Sequence, residues 1–128
     1  MTGISYVLMI FAAITAVIGM AWGIQMSATG DHSLSPAHAH LNLLGWVSLS
    51  VFAFFYQLVP KAAQGILARV QAGIAIVGVV LIVPGIVMAL TGAGETLAKI
   101  GSVFTIASMV LFIVIVATKG RPGAAGPY

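Results

Sequence analysis

The sequence predicts an all-α protein: a bundle of four helices embedded in a membrane, with both termini on the same side. Three observations predict it. Of 128 residues, 61% are hydrophobic and only 5% are charged, with a mean hydropathy of +1.17, whereas a soluble domain carries roughly a quarter of its residues as Asp, Glu, Lys or Arg. Four stretches, residues 4–25, 39–59, 66–90 and 96–118, reach the ~20 apolar residues that carry a helix across a bilayer core. None of the four holds an ionisable Asp, Glu, Lys or Arg deep within it.

The elements follow in order. The first span carries Gly19 and Gly23 as a GxxxG pair, which allows a second helix to approach closely. Residues 1–5 lack a basic region and the apolar run behind them is long, so the segment reads as a span rather than a cleaved signal. A polar loop, SATGDHSLSPA, leads to the second span, and Pro36 within it suits the approach to a helix start. A basic turn, PKAAQG, precedes the third span, where Pro84–Gly85 predicts a kink whose freed carbonyl neighbouring helices re-satisfy. A glycine-rich turn, TGAGE, opens the fourth. The tail GRPGAAGPY is rich in glycine and proline and reads as disordered. Residues 1–118 thus form the membrane domain, and 119–128 a cytoplasmic tail.

Charge sets the orientation. Lys61, Arg69, Lys119 and Arg121 fall on the side of the second turn and both termini, while Lys99, offset by Glu95, falls on the other. The positive-inside rule puts both termini in the cytoplasm of a multi-pass protein of the cell inner membrane. Five scattered basic residues form no patch for nucleic acid. The absence of cysteine excludes disulfides, thiolate metal sites and covalent c-type haem. A proton-coupled transporter is disfavoured, because such proteins keep ionisable groups at mid-membrane. The groups at depth are neutral: Asn42, Ser48, Ser50, Gln57, Gln71, Thr105 and Ser108.

All three histidines, His32, His38 and His40, gather at the outer mouth of the second span. Neutral imidazole ligates metals and haem iron through one nitrogen. On a helix, His38 and His40 point about 200° apart. His38 then shares its face with Asn42 and Gly45, and His40 faces an aliphatic stripe of Leu44, Val47 and Val51. The plainer reading makes these interfacial histidines at headgroup level, beside Trp46 and Tyr56.

The stretch HLNLLGWVSLSVFAFFYQLVP resembles the second membrane helix of the large subunit of haem-copper oxidases and nitric oxide reductases. There a histidine at the outer end ligates the low-spin haem. The His-x-Asn-Leu-Leu start and Tyr-x-Leu-Val-Pro finish of the reductase form match residues 40–44 and 56–60, and the Ala-His-Ala of the oxidase form matches 37–39. The resemblance leaves the ligand open between His40 and His38; the longer match and the apolar face favour His40. It implies a haem b protein for electron transfer or for binding a diatomic gas such as O2 or NO, with an electron donor at the outer face. Its candidate contacts are His40, His38, Asn42, Gly45, Met20 and Met88; methionine is an allowed second axial ligand, as is a histidine from His38 or a neighbouring subunit. His32 and His38 are candidates for copper or zinc.

The departures are as informative. The family's later-helix histidines and its arginine pair for the haem propionates have no counterparts here, so a complete binuclear centre does not fit one chain. The family's twelve helices form three arcs of four, which implies a homotrimer for a chain of one arc. The alternative expectation is a non-catalytic small membrane subunit or assembly factor.

Overall fold

A backbone surrounded by lipid must satisfy its own hydrogen bonds, and a long apolar run does so as a helix. The structure, a computed structural model, describes residues 1–121. It contains four membrane-length helices: α1 (Gly3–Thr29), α2 (Ser35–Leu58), α3 (Ile66–Leu90) and α4 (Thr96–Lys119). The expected all-α four-helix class is what is found.

The ends of the helices have local causes. α1 runs four residues past the expected limit and stops at Gly30, whose φ of 70° returns its amide to Met26 O, a left-handed glycine cap. α2 begins at Ser35, four residues before the expected start, with Pro36 in its first turn. A first-turn proline forfeits no intrahelical bond. α4 extends through Lys119, one residue past the expected span, so Lys119 is helical. The rest of the predicted disordered tail, from residue 122, lies outside the described residues. α3 passes through Pro84 without interruption.

α1 packs along α2 and α3 along α4, with α2 joining the two pairs. Small residues make both seams, as expected where lipid removes any hydrophobic drive between helices and close van der Waals contact must hold them. On α3 and α4, a Cβ at Gly85 would lie 2.5 Å from Ala98 N, and one at Gly101 would lie 2.6 Å from Ile82 N. On α1 and α2, Gly45 sits against Thr15, Gly19 against Asn42, and Gly23 against His38. The core between the pairs is built from Leu8, Ala12, Leu49, Phe52, Ala53, Ala72, Ala75 and Ile115. Phe52 and Phe55 meet Phe112 of α4 at centroid distances of 4.6 and 5.1 Å.

Polar groups inside the bundle tie three helices together. The Tyr56 hydroxyl donates to Gln71 Oε1 at 2.8 Å, and Gln71 Nε2 donates to the Ser108 carbonyl at 3.4 Å. Tyr56, read from sequence as a headgroup neighbour, is instead 1% exposed: its hydroxyl finds a partner within the protein and need not reach water. The outward faces carry Met20, Ile24 and Leu58 at 69%, 71% and 80% exposure, a surface suited to lipid.

One irregularity shapes the region that follows the histidines. Residues Leu41–Ser48 of α2 are wound as a π-helix, whose bonds reach five residues rather than four. The Ser48 hydroxyl follows the same span and donates to Leu43 O at 2.8 Å.

Candidate histidine site

Each histidine ends in a different setting. His32 is exposed in the loop after α1, where its Nδ1–H donates to Gly30 O at 3.2 Å. Beside it, Asp31 Oδ1 accepts the Ser33 amide at 3.0 Å. The Ser33 hydroxyl and then its amide favour the charged carboxylate, holding Asp31 below its ordinary value.

His38 points from α2 into α1. Its Nε2 lies 2.9 Å from the Gly19 carbonyl; a carbonyl only accepts, so Nε2 carries the proton and donates. A Cβ at Gly23 would lie 3.3 Å from the same nitrogen, so the GxxxG pair opens the space that the imidazole fills. Trp22 meets the ring edge-on at 6.0 Å and 89°. Asn42 Nδ2 lies 3.2 Å from Nε2; with the Nε2 proton committed to Gly19 O, the amide is a close polar neighbour of the ring rather than its donor. Gly45, a turn further on, is buried against Thr15. His38, Asn42 and Gly45 therefore share one face, as the helical spacing predicts, and that face is the seam with α1.

His40 points the other way, and its bonding differs. Its Nδ1–H donates to Pro36 O at 2.7 Å, one turn back. Among the described residues Nε2 has no hydrogen-bond partner. The ring lines a groove with Leu43, Leu44, Ile82, Ser102 and Thr105. This differs from the aliphatic stripe predicted for it. The π-winding turns successive residues through a smaller angle than an α-helix does. Leu43 enters beside the ring, while Val47 and Val51 turn outward at 46% and 51% exposure. Ser102 and Thr105 bring hydroxyls from α4, each donating to its own helix at Ala98 O and Ser102 O.

The remaining candidates are not brought to this groove. Met20 projects from the outer face of α1 and Met88 from α3 at 39% exposure, and neither lines it. Among the described residues no three of His, Asp and Glu converge as a metal site. Lys99, one turn before Ser102 on α4, pairs with Glu95 at 3.5 Å with both side chains exposed, an arrangement of small energetic weight.

Sequence reasoning missed the π-winding, for which no residue type gives a signal, and the α3–α4 glycine seam. The latter is visible in the seven-residue spacing of Gly78 and Gly85, both buried in α3. What fold and site together define is a multi-pass helical membrane protein with one imidazole packed in a helix seam and, at the same end, one that lines a groove with Nε2 free among the described residues. No protein family, curated protein or solved structure matches the chain.

Proposed function

We propose that the protein binds haem b through His40, for electron transfer or for binding a diatomic gas. The observation that carries this reading is the difference between the two imidazoles. His40 commits Nδ1–H to Pro36 O at 2.7 Å and keeps Nε2 free, whereas His38 commits Nε2 to Gly19 O. A ring held by a carbonyl through one nitrogen is oriented for ligation by the other, with its basicity raised. Both rings are held so, but His40 lines a groove, whereas the His38 ring is packed in the α1–α2 seam against Gly23 and Trp22. The donor chemistry of the groove therefore fits a haem with one protein ligand, against Leu43, Leu44 and Ile82.

Haem supplies the redox or gas-binding chemistry when bound; the protein supplies the ligand, the apolar wall and the depth. With Met20 and Met88 outside the groove, a second protein ligand for a haem held by His40 would have to come from another copy of the chain, and without one the haem would be open to a gas. A homotrimer, as the oxidase likeness suggests, would provide such a neighbour. The positive-inside rule places this end at the outer face of the inner membrane, where an electron donor would dock and where Lys99 is the cation available to a propionate.

The visible spectrum of the detergent-purified chain tests this. A Soret band with sharp reduced α and β bands is expected, lost in His40→Ala and kept in His38→Ala. Protein that stays colourless after haem is added overturns the reading.

A second reading is favoured by the packing of His38 against Gly19 and Trp22: a non-catalytic small membrane subunit or assembly factor with structural histidines. It requires a stable larger partner, which affinity purification from native membranes would recover at fixed stoichiometry.

A further inference from the structure

The two ends of the molecule are electrically unlike. The chain has two acidic side chains, Asp31 and Glu95, both in the loops at the histidine end. Lys61, Arg69, Lys119 and Arg121 lie at the opposite end, and among the described residues the one ion pair is Lys99–Glu95. The basic end therefore has no acidic side chain of its own to answer it.

Arg69 has a distinctive place there. It stands in the first turn of α3, exposed, and lines two adjoining hollows. One is polar, with Thr2, Ser5, Gln57 and Gln64. The other is almost wholly apolar, a groove between α1 and α3 walled by Ile4, Val7, Ala72 and Ile76. Gly73 lies on its floor, and a Cβ there would meet nothing within 4 Å. The groove is thus deepened by a missing side chain that helix packing does not require, unlike the glycines of the α3–α4 seam.

A cation over amide donors, continuous with an apolar channel that runs into the bilayer, matches one kind of occupant. We propose that this groove holds an anionic phospholipid, its phosphate against Arg69 and the Gln57 and Gln64 amides, with an acyl chain along Gly73. Charge complementarity selects the lipid over a second copy of the chain: a parallel copy would present its own uncompensated basic end. Basic residues at a membrane boundary draw anionic headgroups, and the apolar groove adds a hold that a free phosphate cannot use. The site is at the opposite end from His40 and is independent of the haem reading.

Native mass spectrometry of the full chain, released from micelles doped with phosphatidylglycerol or phosphatidylcholine, tests this. The wild-type chain should retain phosphatidylglycerol in preference to phosphatidylcholine, and inorganic phosphate should not displace it. Arg69→Gln should weaken phosphatidylglycerol retention about fivefold, the weight of one charge at an anionic surface, and remove the preference. Gly73→Leu should fill the groove and lower retention of both lipids, while Lys119→Gln should change neither. Equal retention of the two lipids by the wild type, or retention of phosphatidylglycerol unaffected by Arg69→Gln, overturns the proposal. So does a Gly73→Leu chain that loses an oligomer while keeping its lipid, which would make the groove a contact between copies. Should Gly73→Leu fail to fold, Arg69→Gln decides alone.

Discussion

His38 reaches across the seam to donate its Nε2–H to the carbonyl of Gly19 at 2.9 Å. The contact depends on sequence at both ends, because a side chain at Gly23 would crowd the same nitrogen. It also fixes the His38 tautomer, with the proton on Nε2.

Truncating His38 should therefore weaken the α1–α2 pair. Interhelical hydrogen bonds in membranes average about 0.6 kcal/mol and reach about 1.7, and the lost ring packing against Trp22 adds to this. His38→Ala should lower stability by about 1–2 kcal/mol in a thermal or denaturant melt, with His38→Gln recovering part of the loss. A His38→Ala protein as stable as wild type would show that the contact holds nothing together.

The α3–α4 seam makes a sharper prediction. Side chains placed at Gly85 or Gly101 meet backbone at 2.5–2.6 Å, and backbone cannot rotate away. Gly85→Leu and Gly101→Leu should each cost at least the ~1–3 kcal/mol typical of overpacking. Gly73→Leu, on the same helix but facing open space, should be near neutral. Melting the three variants side by side tests the seam: equal effects would refute it.

Tyr56 and Gln71 form a buried pair in which removing one partner strands the other. Tyr56→Phe should cost about 1–3 kcal/mol by leaving Gln71 Oε1 unsatisfied. Adding Gln71→Leu should restore much of the loss, since replacing both partners with apolar groups can be nearly neutral. A double-mutant cycle measures the coupling; strict additivity would contradict the 2.8 Å contact.

Asp31 titrates below its ordinary value because Ser33 bonds the carboxylate. A depressed folded value means that any stabilisation is present above the unfolded value and fades as pH falls through the folded one. With the carboxyl fully exposed, the visible consequence is local. In an NMR titration Asp31 should protonate below the ordinary aspartate range, and Ser33→Ala should move it part of the way back up. An unchanged midpoint in Ser33→Ala would show that the hydroxyl does not hold the carboxylate, leaving only the amide contact, which that substitution keeps.

Some of this was legible in the residues and some was not. The bounds of α3 were, because its apolar run is flanked by Gly65 and by a glycine-rich turn that interrupts the hydropathy on either side. The start of α2 was not: Ser35-Pro36-Ala37-His38 reads as polar loop, yet proline and serine are acceptable in a first turn. The divergence of His38 and His40 follows from their two-residue spacing. What His40 faces does not, because the π-winding from Leu41 to Ser48 re-aims the side chains beyond it. Tyr56 misled for a related reason. Amphipathic aromatics favour membrane interfaces, and only the tertiary structure reveals that Gln71 is waiting for its hydroxyl.

The pairing of α1 with α2 and α3 with α4 bears on how the chain enters a bilayer. Each pair is a helical hairpin whose distal loop is short, and if the basic end stays on the side of synthesis, the loops that cross carry Asp31, Glu95 and Lys99. Glu95 and Lys99 lie 3.5 Å apart and offset each other, so a single uncompensated charge has to traverse the hydrocarbon. The chain is thus arranged to be threaded as two ready-made hairpins, one after the other, with four of its seven charged side chains left behind.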